Sequence, residues 1–148
     1  MFIPMKMSPN LLLGEAGKHR VMSELLRRGI NVYSPCVDDG IDLFTSTHRI
    51  QVKTANAGID NIYRFCFKSW QRANGSSKQY SRLHPDVTHI VCWGVQDEAF
   101  WIFPVTVTGI PTSLSIRRPT TPIRDRTPNP SKFNHRLHLN AWHLFDAS

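Results

Sequence analysis

The feature that most constrains the fold is a pair of neighbouring segments, residues 41–45 and 48–54, in which apolar and polar side chains alternate. Alternation with a period of two is typical of strands that bury one face. If the segments pair as an antiparallel hairpin centred between Ser46 and Thr47, Asp42 lies opposite Gln51. One face then carries Ile41, Leu43, Ile50 and Val52 toward a core, and the other carries Asp42, Gln51 and Lys53. The pattern therefore predicts a hairpin with a polar face.

This polar face has the groups needed for metal-assisted cleavage of a phosphodiester. A carboxylate such as Asp42 binds hard divalent cations, and the amide oxygen of Gln51 adds a ligand without charge. A lysine beside such a site can orient an attacking water or stabilise negative charge on phosphorus. The sequence therefore predicts a candidate catalytic site at Asp42, Gln51 and Lys53.

A helix is expected upstream, over about residues 9–28. Ser8 is a favourable N-cap, Pro9 suits the first helical position, and Gly29 is a typical C-terminal stop. Glu15 lies close to the edge of the apolar stripe of this helix, so it is placed to face the strand of Asp42. The alternative is a solvated Glu15, which is the commoner position for a lone glutamate.

The order of these elements resembles the PD-(D/E)XK nuclease superfamily over roughly residues 12–105, with a further strand expected at residues 30–35. The resemblance implies an α/β fold with a restriction-endonuclease-like αβββαβ core, in which helices flank a mixed sheet. It implies that Asp42 is the metal-binding aspartate, Lys53 the catalytic lysine and Glu15 the helix glutamate. Gln51 departs from the motif, which has Asp or Glu at that position.

The resemblance also implies a cofactor and a substrate. The implied cofactor is Mg²⁺, with Mn²⁺ as a substitute, and its implied ligands are Asp42, Gln51, Glu15 and the backbone carbonyl of Val52. The implied activity is hydrolysis of double-stranded DNA by a homodimer or homotetramer. Small size, the Gln-x-Lys variant and a basic extension favour a site-specific homing endonuclease. The alternatives are a Holliday-junction resolvase and a non-catalytic nucleic-acid-binding module on the same fold.

The charge of the chain favours a polyanionic partner. Lysine and arginine number 18 against 11 acidic residues, a formal net charge of +7, and such a surface gains affinity for nucleic acid through counterion release. The three cysteines form no C-x-x-C pair and lie in strand-like apolar contexts, so buried free thiols in a reducing compartment are expected. We expect no membrane association and a cytoplasmic protein, nucleoid-associated or, in a eukaryote, organellar.

Basic residues beyond the hairpin are candidate DNA contacts. Tyr63, Phe65 and Phe67 alternate with polar residues, which predicts a strand followed by a turn-rich loop. The candidate phosphate contacts on and after this strand are Arg64, Lys68, Arg72, Lys78 and Arg82. Trp70 is either a stacking residue or a core aromatic, with the core position favoured.

The last third of the chain is expected to leave the core and return to it. A hairpin is predicted from residues 87–93 and 99–103, and residues 109–132 are too rich in proline for a helix or a central strand. We expect a basic arm there, with Arg117, Arg118, Arg124 and Arg126 as DNA contacts. Residues 1–106 are predicted to form the nuclease core and residues 107–148 the extension. Subunit contacts are expected at residues 137–145 and 100–103.

Overall fold

The computed structural model of the chain describes residues 6–36, 40–67, 69–73, 77–81, 83–107, 110–119 and 134–146. Its regular elements are α1 (Pro9–Arg27), β1 (Leu43–Phe44), β2 (Arg49–Ala55), β3 (Ile62–Cys66), β4 (Ser69–Ala73), β5 (Ser77–Ser81), β6 (His89–Gly94), β7 (Ala99–Pro104) and β8 (Ser113–Arg117). Two 3-10 helices, Arg136–His138 and Trp142–Phe145, follow. None of the helices in this described part of the chain is long and apolar enough to cross a membrane.

Helix α1 confirms the predicted helix and its capping. The Ser8 hydroxyl accepts a hydrogen bond from the Leu11 N–H at 3.3 Å, and Pro9 occupies the first turn. Gly29 follows the helix with a φ of +80°, a left-handed conformation that glycine adopts without steric cost. Val21 and Leu25 are fully buried and attach the helix to the sheet.

The central sheet is mixed and has the strand order β1-β2-β6-β7. Strand β2 pairs antiparallel with β1 and parallel with β6, and β6 pairs antiparallel with β7. The β6-β7 pair confirms the predicted second hairpin. Strands β3 and β8 form a separate antiparallel pair, as do β4 and β5. The mixed sheet with its flanking helix confirms the expected fold class.

The sheet is buried on both faces by two apolar clusters. On one face, Ile50 and Val52 of β2 pack in a cluster with Val21 and Leu25 of α1. The other face is covered by the β3-β8 pair, and its cluster includes Ile90, Trp101, Phe103, Tyr63, Phe65, Leu114 and Ile116. Because β6 and β7 are covered on both sides, their sequences are almost continuously apolar.

Helix α1 lies unusually close to β2 at one point. A Cβ atom added to Gly17 would lie only 1.7 Å from the Thr54 hydroxyl oxygen. A glycine is therefore needed at this crossing for steric reasons. The close contact fixes the height of the helix over the strand that carries Gln51 and Lys53.

The strand predicted at residues 30–35 is wrong and reduces to one bridge, between Tyr33 and Phe44. Tyr33 and Phe44 exchange two backbone hydrogen bonds, of 2.7 and 2.8 Å. The next bonded pair along this ladder would join Pro35 to Asp42. Proline has no N–H to donate, and the Asp42 N–H donates instead to Ile50, so the ladder stops.

Part of the predicted basic arm is a strand of the core. Strand β8 pairs with β3 along its whole length, and its side chains Leu114 and Ile116 are fully buried. Pro111 and Pro119 flank this strand and do not interrupt it, which is why the arm prediction is wrong for residues 113–117. The remainder of the predicted arm, residues 120–132, lies outside the described residues.

The C-terminal segment docks on the core of its own chain, as one of the two expectations had it. Trp142 is 3% exposed, and its ring lies 5.0 Å from that of Phe100. Phe100, Trp101, Ile102 and Phe103 are all buried within the single chain and fill the two clusters. The expected subunit contact at residues 100–103 stays a prediction, and these side chains offer little surface for it.

The prediction of buried thiols holds for one cysteine of the three. Cys92 lies on β6 and is fully buried, whereas Cys36 and Cys66 are exposed. Cys66 points outward because the inward positions of β3 belong to Tyr63 and Phe65. All three are free thiols.

Candidate active site

The predicted register of the β1-β2 hairpin is confirmed at its two paired positions, but the predicted pairing of Asp42 with Gln51 is wrong. Leu43 lies opposite Ile50 and Phe44 opposite Arg49. The Ser46-Thr47 turn lacks residues that favour positive φ, and the Thr45 hydroxyl compensates by accepting hydrogen bonds from the backbone N–H groups of Thr47 (3.4 Å) and His48 (3.0 Å). These side-chain hydrogen bonds stabilise the turn in place of residues that favour positive φ.

The hairpin departs from regular pairing at Asp42. The Asp42 N–H donates to the Ile50 carbonyl at 2.9 Å, although Ile50 is already paired with Leu43. Two residues of one strand therefore face one residue of the other, which is the arrangement of a β-bulge. The bulge breaks the predicted alternation, so Ile41 packs in the cluster opposite to that of Leu43. The prediction that Ile41 and Leu43 share a face is wrong for this reason.

The bulge directs the Asp42 carboxylate toward β2. Its Oδ2 atom accepts hydrogen bonds from the Val52 N–H at 2.7 Å and from the Gln51 amide nitrogen at 3.2 Å. Asp42 is only 8% exposed. The carboxylate thus replaces the backbone acceptor that β1 would have supplied had the ladder continued, and it is held rigidly beside Gln51.

The groups around this strand gap are suited to a hard cation. In a paired strand the N–H and C=O of one residue point to the same neighbour, so the Val52 carbonyl faces the gap together with the Val52 N–H. A carboxylate, a backbone carbonyl and an amide oxygen from Gln51 are the donors that Mg²⁺ and Mn²⁺ prefer. The chemistry of the donor set therefore fits the implied metal.

Lys53 lies on the same face of β2 as Gln51. Ile50 and Val52 belong to the helix-side cluster, so the alternation of the strand directs Gln51 and Lys53 to the opposite side, where both are half-buried. Lys53 pairs in register with Cys92. Burial raises the pKa of the Cys92 thiol, and the nearby charge of Lys53 opposes that shift. The charge of Lys53 is therefore felt at Cys92 of β6, on the face of β2 that also carries Gln51.

Hydrogen bonds join Asp42 to Gln51 and Val52, and Lys53 shares the face of Gln51, whereas Glu15 is bonded to a neighbour on its own helix. Glu15 forms an ion pair with Lys18 at 2.7 Å. Its helix packs on the face of β2 that carries Thr54, opposite to the face of Lys53. Within the described ranges, no group of three or more His, Cys, Asp or Glu side chains is arranged to hold a metal ion. The role of Glu15 stays a prediction.

The predicted DNA contacts fall into two sets. Arg64 is exposed and pairs with Asp60 at 2.5 Å. Arg117 is half-buried at the end of β8, and Arg118 binds Asp97 through two hydrogen bonds of 2.9 and 3.0 Å. The contact predictions that lie outside the described residues or side chains are Lys68, Arg72, Lys78, Arg82, Arg124 and Arg126.

One group of polar residues was missed by sequence reasoning. Tyr63 donates from its hydroxyl to Asp97 at 2.6 Å, and the Asp97 N–H donates back to the same oxygen at 3.0 Å. Together with Arg118 these residues form the Asp97 lock, which joins the β3-β8 pair to the β6-β7 turn. Burial and the bond to Asp97 raise the pKa of Tyr63 to about 12, so its phenol stays protonated as a donor. The partners are far apart in sequence, so no local pattern could have revealed them.

Comparison with known proteins gives a family and a structural relative. The model of a family described as PD-(D/E)XK endonuclease matches residues 9–140, which is most of the chain. Among solved structures, the bacterial homing endonuclease I-Ssp6803I is similar, with 20% sequence identity, a TM-score of 0.74 and coverage of 93% of each chain. At this identity the likeness concerns the fold. Comparison with curated proteins gives no match.

Proposed function

This chain is a member of the PD-(D/E)XK endonuclease family, and from that premise we propose that it is a Mg²⁺-dependent endonuclease of double-stranded DNA, with Mn²⁺ as an alternative cofactor. The observation that carries the proposal is the buried Asp42 carboxylate, held at a break in the sheet beside Gln51 and the backbone of Val52. A carboxylate that replaces a backbone acceptor at such a break is positioned before any ligand arrives. This rigidity supports a catalytic role over a purely structural one.

The chemistry follows from the residues around the gap. When bound, Mg²⁺ polarises the scissile phosphate and lowers the pKa of a bound water. Asp42 and the Val52 carbonyl would hold the cation, and Gln51 and Glu15 are the further candidate ligands. Lys53 orients the attacking water or stabilises negative charge on the phosphate. The water oxygen forms a bond to phosphorus as the bond to the leaving oxygen breaks. The attacking water gives up a proton to solvent, and the leaving oxygen takes one up from solvent.

The biological role we propose is that of a site-specific homing endonuclease. The supporting observation is the fold likeness to I-Ssp6803I over 93% of both chains, in a chain that carries a net charge of +7. Cutting both strands is most simply done by two copies of one active site, so we propose a homodimer or homotetramer. A cytoplasmic location is consistent with this substrate.

The experiment that tests the function is cleavage of a random-sequence duplex library, followed by sequencing of the new ends. The protein is incubated with Mg²⁺, with Mn²⁺ and with EDTA, and a four-way junction is included as a separate substrate. We expect cleavage of the duplex with either metal and none with EDTA. Asp42→Asn and Lys53→Ala should each lower the cleavage rate by at least about a hundredfold, because the first weakens the binding of the cation and the second removes a positive charge beside the reacting phosphate.

The matched control for this test is Asp86→Asn, which neutralises an exposed carboxylate in the loop before β6 and should leave the rate unchanged. Cleavage of the junction alone would favour a resolvase. Duplex binding without any cleavage would favour the non-catalytic module and overturn the proposal. Undiminished cleavage by Asp42→Asn would remove the active site from this position.

A further inference from the structure

Gln51 is hydrogen-bonded to a residue with which it is expected to share a metal ion. Its side-chain nitrogen donates to Asp42 Oδ2 at 3.2 Å, and the Val52 N–H donates to the same oxygen at 2.7 Å. An ionised carboxylate accepts hydrogen bonds and cannot donate them. The edge of the amide that faces Asp42 is therefore its NH₂ edge, and the oxygen that could bind a cation is turned away.

An acidic residue at this position would behave in the opposite way. Two carboxylates at hydrogen-bonding distance in the partly buried gap between β1 and β2 would repel each other strongly unless a cation lay between them. Such a site gains stability from the metal and loses it when the metal leaves. An amide removes the repulsion and adds a hydrogen bond, so the metal-free hairpin keeps its geometry.

We propose that Gln51 is a latch that fixes the Asp42 carboxylate in the metal-free protein and is released by the cation. For its oxygen to reach the metal, the amide has to turn over about its last side-chain torsion, which is broad and roughly two-fold. Binding of the cation then competes with the Gln51–Asp42 bond. This proposal rests on the proposed function, because it requires that the metal binds at Asp42.

Two consequences distinguish a latch from an ordinary neutral ligand. The metal-free protein is more stable than it would be with a carboxylate at position 51, and its metal affinity is lower because the latch bond has to be broken and one negative charge is missing. The site of the metal-free protein is therefore preformed, but its affinity for the cation is lower. It should load only where the free Mg²⁺ concentration is high.

The first test is the melting temperature of the full chain in EDTA and along a Mg²⁺ titration. Gln51→Glu should melt about 2–4 °C lower than wild type in EDTA, and its apparent affinity for Mg²⁺ should be at least about tenfold higher. Gln51→Met, which keeps the length but neither donates nor binds a hard cation, should melt lower in EDTA without any gain in affinity. The matched control is Gln96→Glu, which makes the same change in charge at an exposed turn.

The second test observes the wild-type protein, and a variant is used only to assign one resonance. The side-chain amide resonance of Gln51 in a ¹⁵N spectrum, identified by its loss in Gln51→Glu, should move when Mg²⁺ is added. The resonance of Gln96 should not move. Saturation with Mg²⁺ that leaves the Gln51 resonance in place would overturn the latch, as would an unchanged melting temperature of Gln51→Glu in EDTA.

The outcomes that overturn the Gln51 latch differ from those that overturn the proposed metal site. If Mg²⁺ raises the melting temperature of wild type and not of Asp42→Asn, the metal binds at the proposed site, and only the outcomes at position 51 decide the latch. If the rise is equal in both proteins, the metal binds elsewhere. The latch is then overturned together with the active site.

Discussion

Two carboxylates in this protein are largely enclosed, one bound by a cationic side chain and the other by neutral donors. The Asp97 side chain is 5% exposed and is bound by the guanidinium group of Arg118 and the hydroxyl of Tyr63. Asp42 is 8% exposed and accepts from a backbone N–H and from the amide of Gln51. The first arrangement joins two sheets, and the second stands at a break within one sheet.

The difference bears on the metal-binding role that we propose for Asp42. Arg118 binds Asp97 through two hydrogen bonds and neutralises its charge. A guanidinium pair of this geometry is among the strongest polar contacts in proteins, so Asp97 serves to stabilise the fold. Gln51 and Val52 are neutral donors, so these two bonds orient Asp42 without cancelling its charge. A carboxylate that is oriented in this way can still attract a cation.

The largest effect is expected from removing Asp97, which tests whether this carboxylate stabilises the fold without taking part in cleavage. Asp97→Ala leaves the Tyr63 hydroxyl and the Arg118 side chain without their shared acceptor, so we expect a loss of about 3 kcal/mol in the free energy of unfolding. Urea denaturation measures this loss. The cleavage rate, measured well below the melting temperature, should stay within about twofold of wild type, because the Asp97 lock lies at the β6-β7 turn and not at the strand gap.

Asp60→Ala is the control for this prediction, since it removes an exposed ion pair with Arg64 and should leave the stability unchanged. A large fall in cleavage by Asp97→Ala at unchanged stability would show that the lock takes part in catalysis. The division of roles between the two carboxylates would then be wrong.

The same comparison explains how much could be predicted from the sequence. The register of the Asp42 hairpin follows from the alternation of residues close together in the chain, so the grouping of Asp42, Gln51 and Lys53 was predictable. The Asp97 lock joins residues on three separate elements, and no local period records that contact. The bulge at Asp42 was not predictable either, because it depends on Pro35 ending a ladder with a different segment.

A second test measures folding stability at low pH, where two histidines beside the hairpin should become protonated on unfolding. His48, in the hairpin turn, and His89, at the start of β6, lie 4.6 Å apart between ring centroids, and both pack against Phe145. Burial, with the charge of His48 as a second cause, lowers the pKa of His89 to about 4. Burial also lowers the pKa of His48. Neither ring is readily protonated in the folded state.

The direction in which folding stability changes with pH follows from the difference in proton binding between the folded and unfolded states. An unfolded histidine takes up a proton near pH 6.5, whereas folded His89 does so only near pH 4, so the unfolded state binds more protons between these values. Stability is therefore unaffected by His89 above pH 6.5, falls as the pH drops from 6.5 to 4, and levels off below. Between pH 7 and pH 4.5 we expect wild type to lose roughly 2 kcal/mol more than His89→Gln. His143→Gln, at an exposed position, should behave like wild type, and equal losses in wild type and His89→Gln would contradict the prediction.

The smallest expected effect concerns DNA binding by Arg118. A side chain that already binds Asp97 through two hydrogen bonds has little to offer a phosphate, so Arg118→Gln should change the salt dependence of affinity by well under one unit of slope. Arg124→Gln and Arg126→Gln carry the remaining sequence prediction of a basic arm and should each lower the slope by about one unit. Fluorescence anisotropy with a labelled duplex, in EDTA and over a series of salt concentrations, measures all three. If Arg118→Gln lowered the slope as much as Arg124→Gln, Asp97 would have to release its arginine on binding DNA. The lock would then belong to the nucleic-acid interface as well as to the fold.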